Sequence, residues 1–172
     1  MGLFRKKKQE PETVSLTVTD LPSGWRLTAA GTSFCQAELA AALAGASPTP
    51  PEGLEGTRRF GKAGDNEAVG WIDAIIIREP DNTHDKNAVA ILSAQNGQLG
   101  YLPAKKAVEY QDLLLELGSR NSAGACPAYI RRNQSGDLSL VLCLSTADYC
   151  LRNLDVDEYD EEDQGDEWSP ED

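Results

Sequence analysis

The chain has one histidine in 172 residues and four cysteines with no C-x-x-C spacing, so the ligand pairs that build a structural zinc site are missing. Cys35, Cys126, Cys143 and Cys150 are expected instead as small apolar residues in a reducing compartment. No apolar run approaches the roughly 18 residues that a membrane span needs. The basic start Arg5-Lys6-Lys7-Lys8 leads into Gln9-Glu10-Pro11-Glu12-Thr13 rather than into a signal-peptide core. Lys6 stands where N-myristoylation of Gly2 would want a hydroxyl. A cytoplasmic protein with no membrane partner is the expectation. A phosphate-binding Gly-Lys-Ser/Thr loop, a Ser/His/Asp set and a Cys/His pairing are all lacking, which removes the usual residues of nucleotide hydrolysis and nucleophilic catalysis.

A basic excess is lacking too. The formal charge is −12, and residues 155–172 hold 11 of the 28 acidic side chains and none of the 16 basic ones. The preceding 154 residues are therefore close to neutral, which argues against a protein that grips duplex backbone non-specifically through many phosphate contacts. The acidic tail 155–172 has almost nothing to fill a core and is expected to be disordered, as is the basic arm 1–13. Residues 14–154 are expected to form one domain.

Within that stretch, Val14-Ser15-Leu16-Thr17-Val18 alternates apolar and polar residues, and a turn at Asp20 to Gly24 precedes a second strand over Trp25 to Ala30. Ser33 and Gln36 have the spacing of a capping box before a helix over 37–44, which Gly45 ends. Residues 46–65 are rich in Gly and Pro and read as an insertion loop. Ala68 to Arg78 is apolar on both faces, as expected of a central strand. Asn87 to Leu92 and Leu99 to Leu102 pair around Gln95-Asn96-Gly97-Gln98. A helix starts at Pro103, with Ala107, Tyr110, Leu114 and Leu117 at helical spacing before Gly118, and a last hairpin joins Cys126–Arg132 to Leu138–Leu144. The expected fold is mainly β with two helices, a small OB-like or SH3-like barrel of about six to seven strands.

The most informative segment is Glu79-Pro80-Asp81-Asn82-Thr83-His84-Asp85-Lys86-Asn87-Ala88, which places many polar groups between two strands that must be buried. Two readings are open. Asp and Asn side chains close turns onto backbone N–H groups, and Pro80 restricts φ, so the loop can be a rigid connector. Alternatively, that rigidity stations His84 and Asp85 at a surface, as a ring for stacking and a carboxylate acceptor for a hydroxyl.

Three motifs in order, Gly31-Thr32-Ser33-Phe34-Cys35-Gln36, then Glu79 to Val89, then Leu99-Gly100-Tyr101-Leu102-Pro103, resemble the HIRAN domain. The resemblance covers roughly Leu27 to Leu144. It implies a β-rich, OB-like module that captures single-stranded DNA at a 3′ end, in repair, replication or remodelling. Such modules are often attached to a helicase or translocase motor, which here would be a partner in trans. By the same resemblance, Phe34 and His84 would sandwich the terminal base, Asp85 would meet the free 3′-hydroxyl, and Tyr101 would contact the adjacent sugar-phosphate. Ser33 and Asn82 complete the candidate contacts, and Lys105 and Lys106 come after the third motif as the first choice for phosphates. The chain departs from the best-studied members in having Ser33 where they have Arg, and His84 where they have Tyr. An imidazole is a poorer stacking platform, and its protonation at lower pH would add a phosphate contact. The packing alternatives are that Phe34 sits in a helix's first turn against the core, and that Tyr101 lies under the following helix.

No cofactor, metal or small-molecule substrate is expected. Glu79, Asp81, His84 and Asp85 could be read as a Mg²⁺-binding nuclease centre, but turn-forming carboxylates account for the same residues. The main rival is a protein-interaction or adaptor module that uses the fold as a scaffold and the acidic tail for a basic partner.

Overall fold

In a computed structural model, residues 16–54 and 68–155 are described. The basic arm 1–13, the second half of the 46–65 segment and nearly all of the acidic tail lie outside them. Seven strands form one sheet: β1 (Thr17–Asp20), β2 (Trp25–Thr28), β3 (Ala68–Arg78), β4 (Val89–Ser93), β5 (Gly97–Tyr101), β6 (Ser122–Arg132) and β7 (Leu138–Leu144). The order is β2-β7-β6-β3-β4-β5, antiparallel throughout, and β1 adds to β6 in parallel. The sheet curls into a half-barrel consistent with an OB-like fold.

The two ends of the sheet are joined by the residues that leave β2. Ala29 donates to the Leu140 carbonyl of β7 at 2.9 Å, and Ala30 exchanges both backbone hydrogen bonds with Tyr101 of β5 at 2.8 and 2.9 Å. One short segment thus reaches both margins of the half-barrel.

The long strand β6 has β3 along one side and divides the other between β1, paired through Ala125, and β7, paired from Ala128. Pro127 falls between them. The Ala125 carbonyl accepts from Leu21 at 2.8 Å on that divided side, so two residues on, the missing Pro127 N–H points into the gap between two partners. A proline in the middle of a sheet therefore costs no ladder bond here.

Period-two alternation sends Leu138, Leu140, Leu142 and Leu144 of β7, with Cys126, Ala128 and Ile130 of β6, to one face, where they meet the helices. The opposite face carries a smaller cluster of Trp71, Tyr129, Val141 and Cys143, with the Trp71 and Tyr129 rings 5.1 Å apart. Four α-helices occur where two are expected: α1 (Gln36–Ala44), α2 (Ala104–Glu109), α3 (Gln111–Ser119) and α4 (Ala147–Arg152). The helix expected after Pro103 is two, broken at Tyr110, whose backbone (φ −91°, ψ 0°) leaves the helical region. The break lets the Tyr110 hydroxyl donate to the buried Ser145 carbonyl at 2.5 Å. α4 has no counterpart among the expected elements; Thr146 caps it by accepting from the Tyr149 N–H.

The capping box does not form. Ser33 is exposed within a 3-10 turn (Thr32–Phe34), and Cys35 occupies the N-cap of α1 without a side-chain bond. Gln36 is used otherwise: its amide donates to the carbonyls of Thr32 and Leu138, both at 2.8 Å, and accepts from the Leu138 N–H at 2.9 Å. At the start of the 46–65 segment, Ser47 and Trp71 exchange backbone hydrogen bonds.

Replacing Gln36 by Ala strips the Leu138 N–H and carbonyl of a partner, and urea unfolding should show a loss of about 1–3 kcal/mol. Gln36→Glu, which keeps only an acceptor, should fall between the two. Alkaline titration should destabilise the fold. Burial pushes the Cys150 thiol from 9.0 to about 11 and raises Cys126 and Tyr110 as well. The folded state holds protons that the unfolded chain releases above pH 9, so stability is level below that pH and declines as pH rises through the folded values. Thermal melts from pH 7 to 11 would track this decline, and Tyr110→Phe should flatten its upper part.

Candidate nucleic-acid interface

The loop 79–88 is held by its own polar groups. Its mouth is closed by the Glu79 N–H donating to the Ala88 carbonyl at 2.9 Å. The Asn82 Oδ1 accepts from the N–H groups of His84 and Asp85 at 2.9 and 3.0 Å, and the Asp85 Oδ1 accepts from the Asn87 N–H at 2.8 Å. These are Asx-type turns, in which a side chain takes the place of a backbone acceptor. The loop is also braced from outside. Gln111, the first residue of α3, donates to the Asn87 carbonyl at 2.9 Å and accepts from Arg78 Nε at 2.8 Å, tying down both stems.

Glu79 links this loop to the third motif. Its Oε2 accepts from Asn82 Nδ2 at 3.0 Å and from the Tyr101 hydroxyl at 3.1 Å. Tyr101 is therefore half-buried and oriented, with its backbone paired to Ala30 and its phenol to Glu79. Gly31 comes next after Ala30 at φ 69°, a left-handed conformation that suits glycine. Gly100 is required by space, since a Cβ there would lie 2.8 Å from the Ala30 carbonyl oxygen. The first and third motifs thus meet backbone to backbone.

The 3-10 turn after Gly31 leaves Phe34 90% exposed. It does not pack in a helix's first turn against the core, so folding gains almost nothing from its ring. His84 is exposed as well, and Asp85 is half-buried with one oxygen committed to the Asn87 turn. Among the described residues no ring contact or hydrogen bond joins Phe34 to His84. Lys105 and Lys106 are exposed on α2; Lys106 is held by Glu109 at 2.8 Å, while Lys105 has no ion-pair partner among the described residues. Tyr101 and Asn82 are thus brought together directly, through Glu79. Phe34 and Ser33 join them through the Ala30–Tyr101 pair, and the lysines stand one turn beyond.

Glu79 and Gln111 are structural hubs that the candidate contacts omit. Glu79 is legible in its motif, whereas nothing local in the sequence marks Gln111. Of the loop's carboxylates, Glu79 is spent on Asn82 and Tyr101 and one Asp85 oxygen on the Asn87 turn, Asp81 is exposed, and no group of three His, Cys, Asp or Glu side chains placed to hold a metal occurs among the described residues. Burial and then Glu38 push the Cys35 thiol upward, opposite to the direction that activates a nucleophile.

Asn82→Ala removes two acceptor bonds and one donor bond from the loop. It should cost about 1–3 kcal/mol and speed amide exchange at His84 and Asp85 while leaving that of β6 and β7 unchanged, as read by hydrogen-exchange NMR.

No curated protein and no solved structure matches the chain significantly. A family model does: that of the HIRAN domain, over residues 56–142. The match contains the loop 79–88 and the Gly100-Tyr101 strand. It begins after Phe34, whose segment is joined to the matched part by the Ala29–Leu140, Ala30–Tyr101 and Gln36–Leu138 bonds. With half its length matched and its fold a curled, OB-like sheet, the chain belongs to the HIRAN family of DNA-binding modules.

Proposed function

We propose that the protein captures single-stranded DNA at a free 3′ end and does no chemistry on it. The observation that carries this reading is the pairing of a rigid, self-bonded loop with a ring that folding leaves in water. Phe34, 90% exposed, is fixed through Ala30 to the same strand that orients Tyr101 and, through Glu79, the loop bearing His84 and Asp85. A preordered site loses little side-chain entropy on binding, and stacking on an exposed ring accepts any base. In this reading Phe34 and His84 flank the terminal base. The free oxygen of Asp85 receives the 3′-hydroxyl, Tyr101 lies against the next sugar-phosphate, Ser33 and Asn82 line the approach, and Lys105 and Lys106 supply cationic contacts.

Charge supports an end-binder over a backbone-binder. The described residues carry nine Lys and Arg against thirteen Asp and Glu, too few cations to track a long phosphate chain. A 3′-phosphate would meet Asp85 as a like charge, which makes the hydroxyl end the preferred one. A motor protein that acts on the captured end would be supplied in trans.

Fluorescence anisotropy tests the reading, with short single-stranded DNA ending in a 3′-hydroxyl or a 3′-phosphate. The hydroxyl end should bind tighter. Phe34→Ala should weaken it by roughly 5- to 150-fold, the equivalent of about 1–3 kcal/mol of stacking. Asp85→Asn, which keeps the acceptor for the Asn87 N–H, should erase the discrimination between ends without unfolding the loop. Equal, undetectable binding of both ends would leave the fold as a scaffold for protein contacts.

A further inference from the structure

Strand β1 is paired along one edge. Its four residues lie in parallel beside residues 122–125 of β6, and among the described residues no strand runs along its other edge. The Thr17 N–H donates to the Asn121 carbonyl at 3.1 Å, and the Leu21 N–H donates to the Ala125 carbonyl at 2.8 Å. Main-chain groups of alternate residues turn to opposite edges of a strand, so Val18 and Asp20 direct theirs away from β6. Edges of this kind are usually blunted by lysine, proline or a bulge, and Thr17–Asp20 has none of these.

The two faces beside that edge differ. Val18 and Asp20 stand opposite Ala123 and Ala125, which alternate along β6 with the core residue Cys126, so both side chains are on the outer face of the sheet. Val18 is 50% exposed, and Asp20 is exposed with no ion-pair partner among the described residues. On the core face, a cavity of about 360 Å³ lies between residues 19–22 and the end of α4, where Cys150, Asn153 and Leu154 line it. No β6 residue lines it, so it opens on the strand's free side. A strand laid along β1 would meet main-chain donors and acceptors at the edge, Val18 and Asp20 on one face and the cavity on the other.

We propose that the free edge of β1 takes up an extended segment of a partner protein as an added strand. Its apolar side chain stands opposite Val18, a lysine or arginine opposite Asp20, and small side chains turn toward the cavity beside α4. Three observations select this occupant. Outward N–H and C=O groups on every second residue match a polypeptide backbone, which a nucleic acid does not offer. The unpaired carboxylate of Asp20 selects a cation. A second copy of the chain is disfavoured, because each copy carries a formal charge of −12 and four paired residues fall short of the roughly 1,000 Å² that a stable dimer needs. Strands β6, β3 and β4 separate β1 from β5, which carries Tyr101, so a partner held here leaves the end-capture surface open. The inference goes beyond end capture and does not rest on it.

The test is nitrogen-15 NMR of the full chain, titrated with the peptide acetyl-Thr-Lys-Thr-Val-Thr-Lys-Thr-amide, which sets a valine against Val18 and a lysine against Asp20 in either strand direction. The Val18 and Asp20 amides should shift and exchange more slowly, while those of residues 79–88 stay unchanged. Methylating the three central backbone nitrogens of the peptide should abolish both effects, an outcome that charge attraction alone would not give. Asp20→Lys should weaken binding roughly 2- to 5-fold, and a peptide with glutamate in place of lysine should recover the loss. Because Asp20 is exposed, the melting temperature of that variant should match wild type. Unmoved Val18 and Asp20 signals, or equal binding of the methylated peptide, would overturn the proposal. Slow exchange at Val18 and Asp20 before any peptide is added would overturn it too, because the chain's own flanking residues would then occupy the edge.

Discussion

The pair of backbone hydrogen bonds between Ala30 and Tyr101 lets a half-barrel hold a surface together. β2 and β5 end the strand order on opposite sides, and an open sheet would leave both as free edges. The chain leaving β2 instead bonds β7 through Ala29 and β5 through Ala30, within two residues. The close approach demands Gly100, where a Cβ would strike the Ala30 oxygen, and Gly31 at φ 69° turns the chain away again. The first and third motifs both depend on that junction: the 3-10 turn projects Phe34 outward, and Tyr101 is held where its hydroxyl reaches Glu79.

The loop between β3 and β4 obeys a second constraint, that buried or crowded polar groups must be satisfied. Asn82 and Asp85 are spent largely on backbone N–H groups, and Glu79 on Asn82 and Tyr101. The connector reading and the binding reading of this segment are therefore not alternatives. The residues that make the loop rigid occupy its inside, and the rigidity leaves His84 exposed and one Asp85 oxygen outside the turn network. The side chains that fix the shape and the groups available to a ligand are separate atoms of a few neighbouring residues.

Long-range pairing of the kind seen at Ala30 is what local pattern cannot supply. The strands β3, β4 and β7 are legible from their apolar runs, and the final hairpin from its turn, because period and composition are properties of the strand itself. The capping box at Ser33 and Gln36 fails for the opposite reason: the spacing is right, but Leu138, 102 residues away, offers Gln36 both a donor and an acceptor. The break at Tyr110 likewise coincides with a bond from its hydroxyl to Ser145, 35 residues on, which helical periodicity does not mark. α4 has only six residues, too short for periodicity to mark. Of the candidate site, the motif loop and Tyr101 are legible as a pattern, whereas Glu79 as the joint between them and the exposure of Phe34 are properties of the folded half-barrel.

Exposure and charge together constrain what this surface can accept. Leaving Phe34 in water gives up burial that folding would otherwise use, at roughly 1.5–3 kcal/mol for a large side chain. A basic groove would be the usual companion of such rings on a protein that coats single strands, because backbone attraction supplies most of the affinity there. Among the described residues the cations are few, and several are committed: Lys106 to Glu109, Arg120 to Glu116 and Asp155, Arg152 to Asp148. In the end-capture reading proposed above, binding draws on stacking and on a terminal group that tolerates a carboxylate, and it should depend less on salt than coating does. A free hydroxyl beside a stacked terminal base meets both conditions, and an internal stretch of phosphates meets neither.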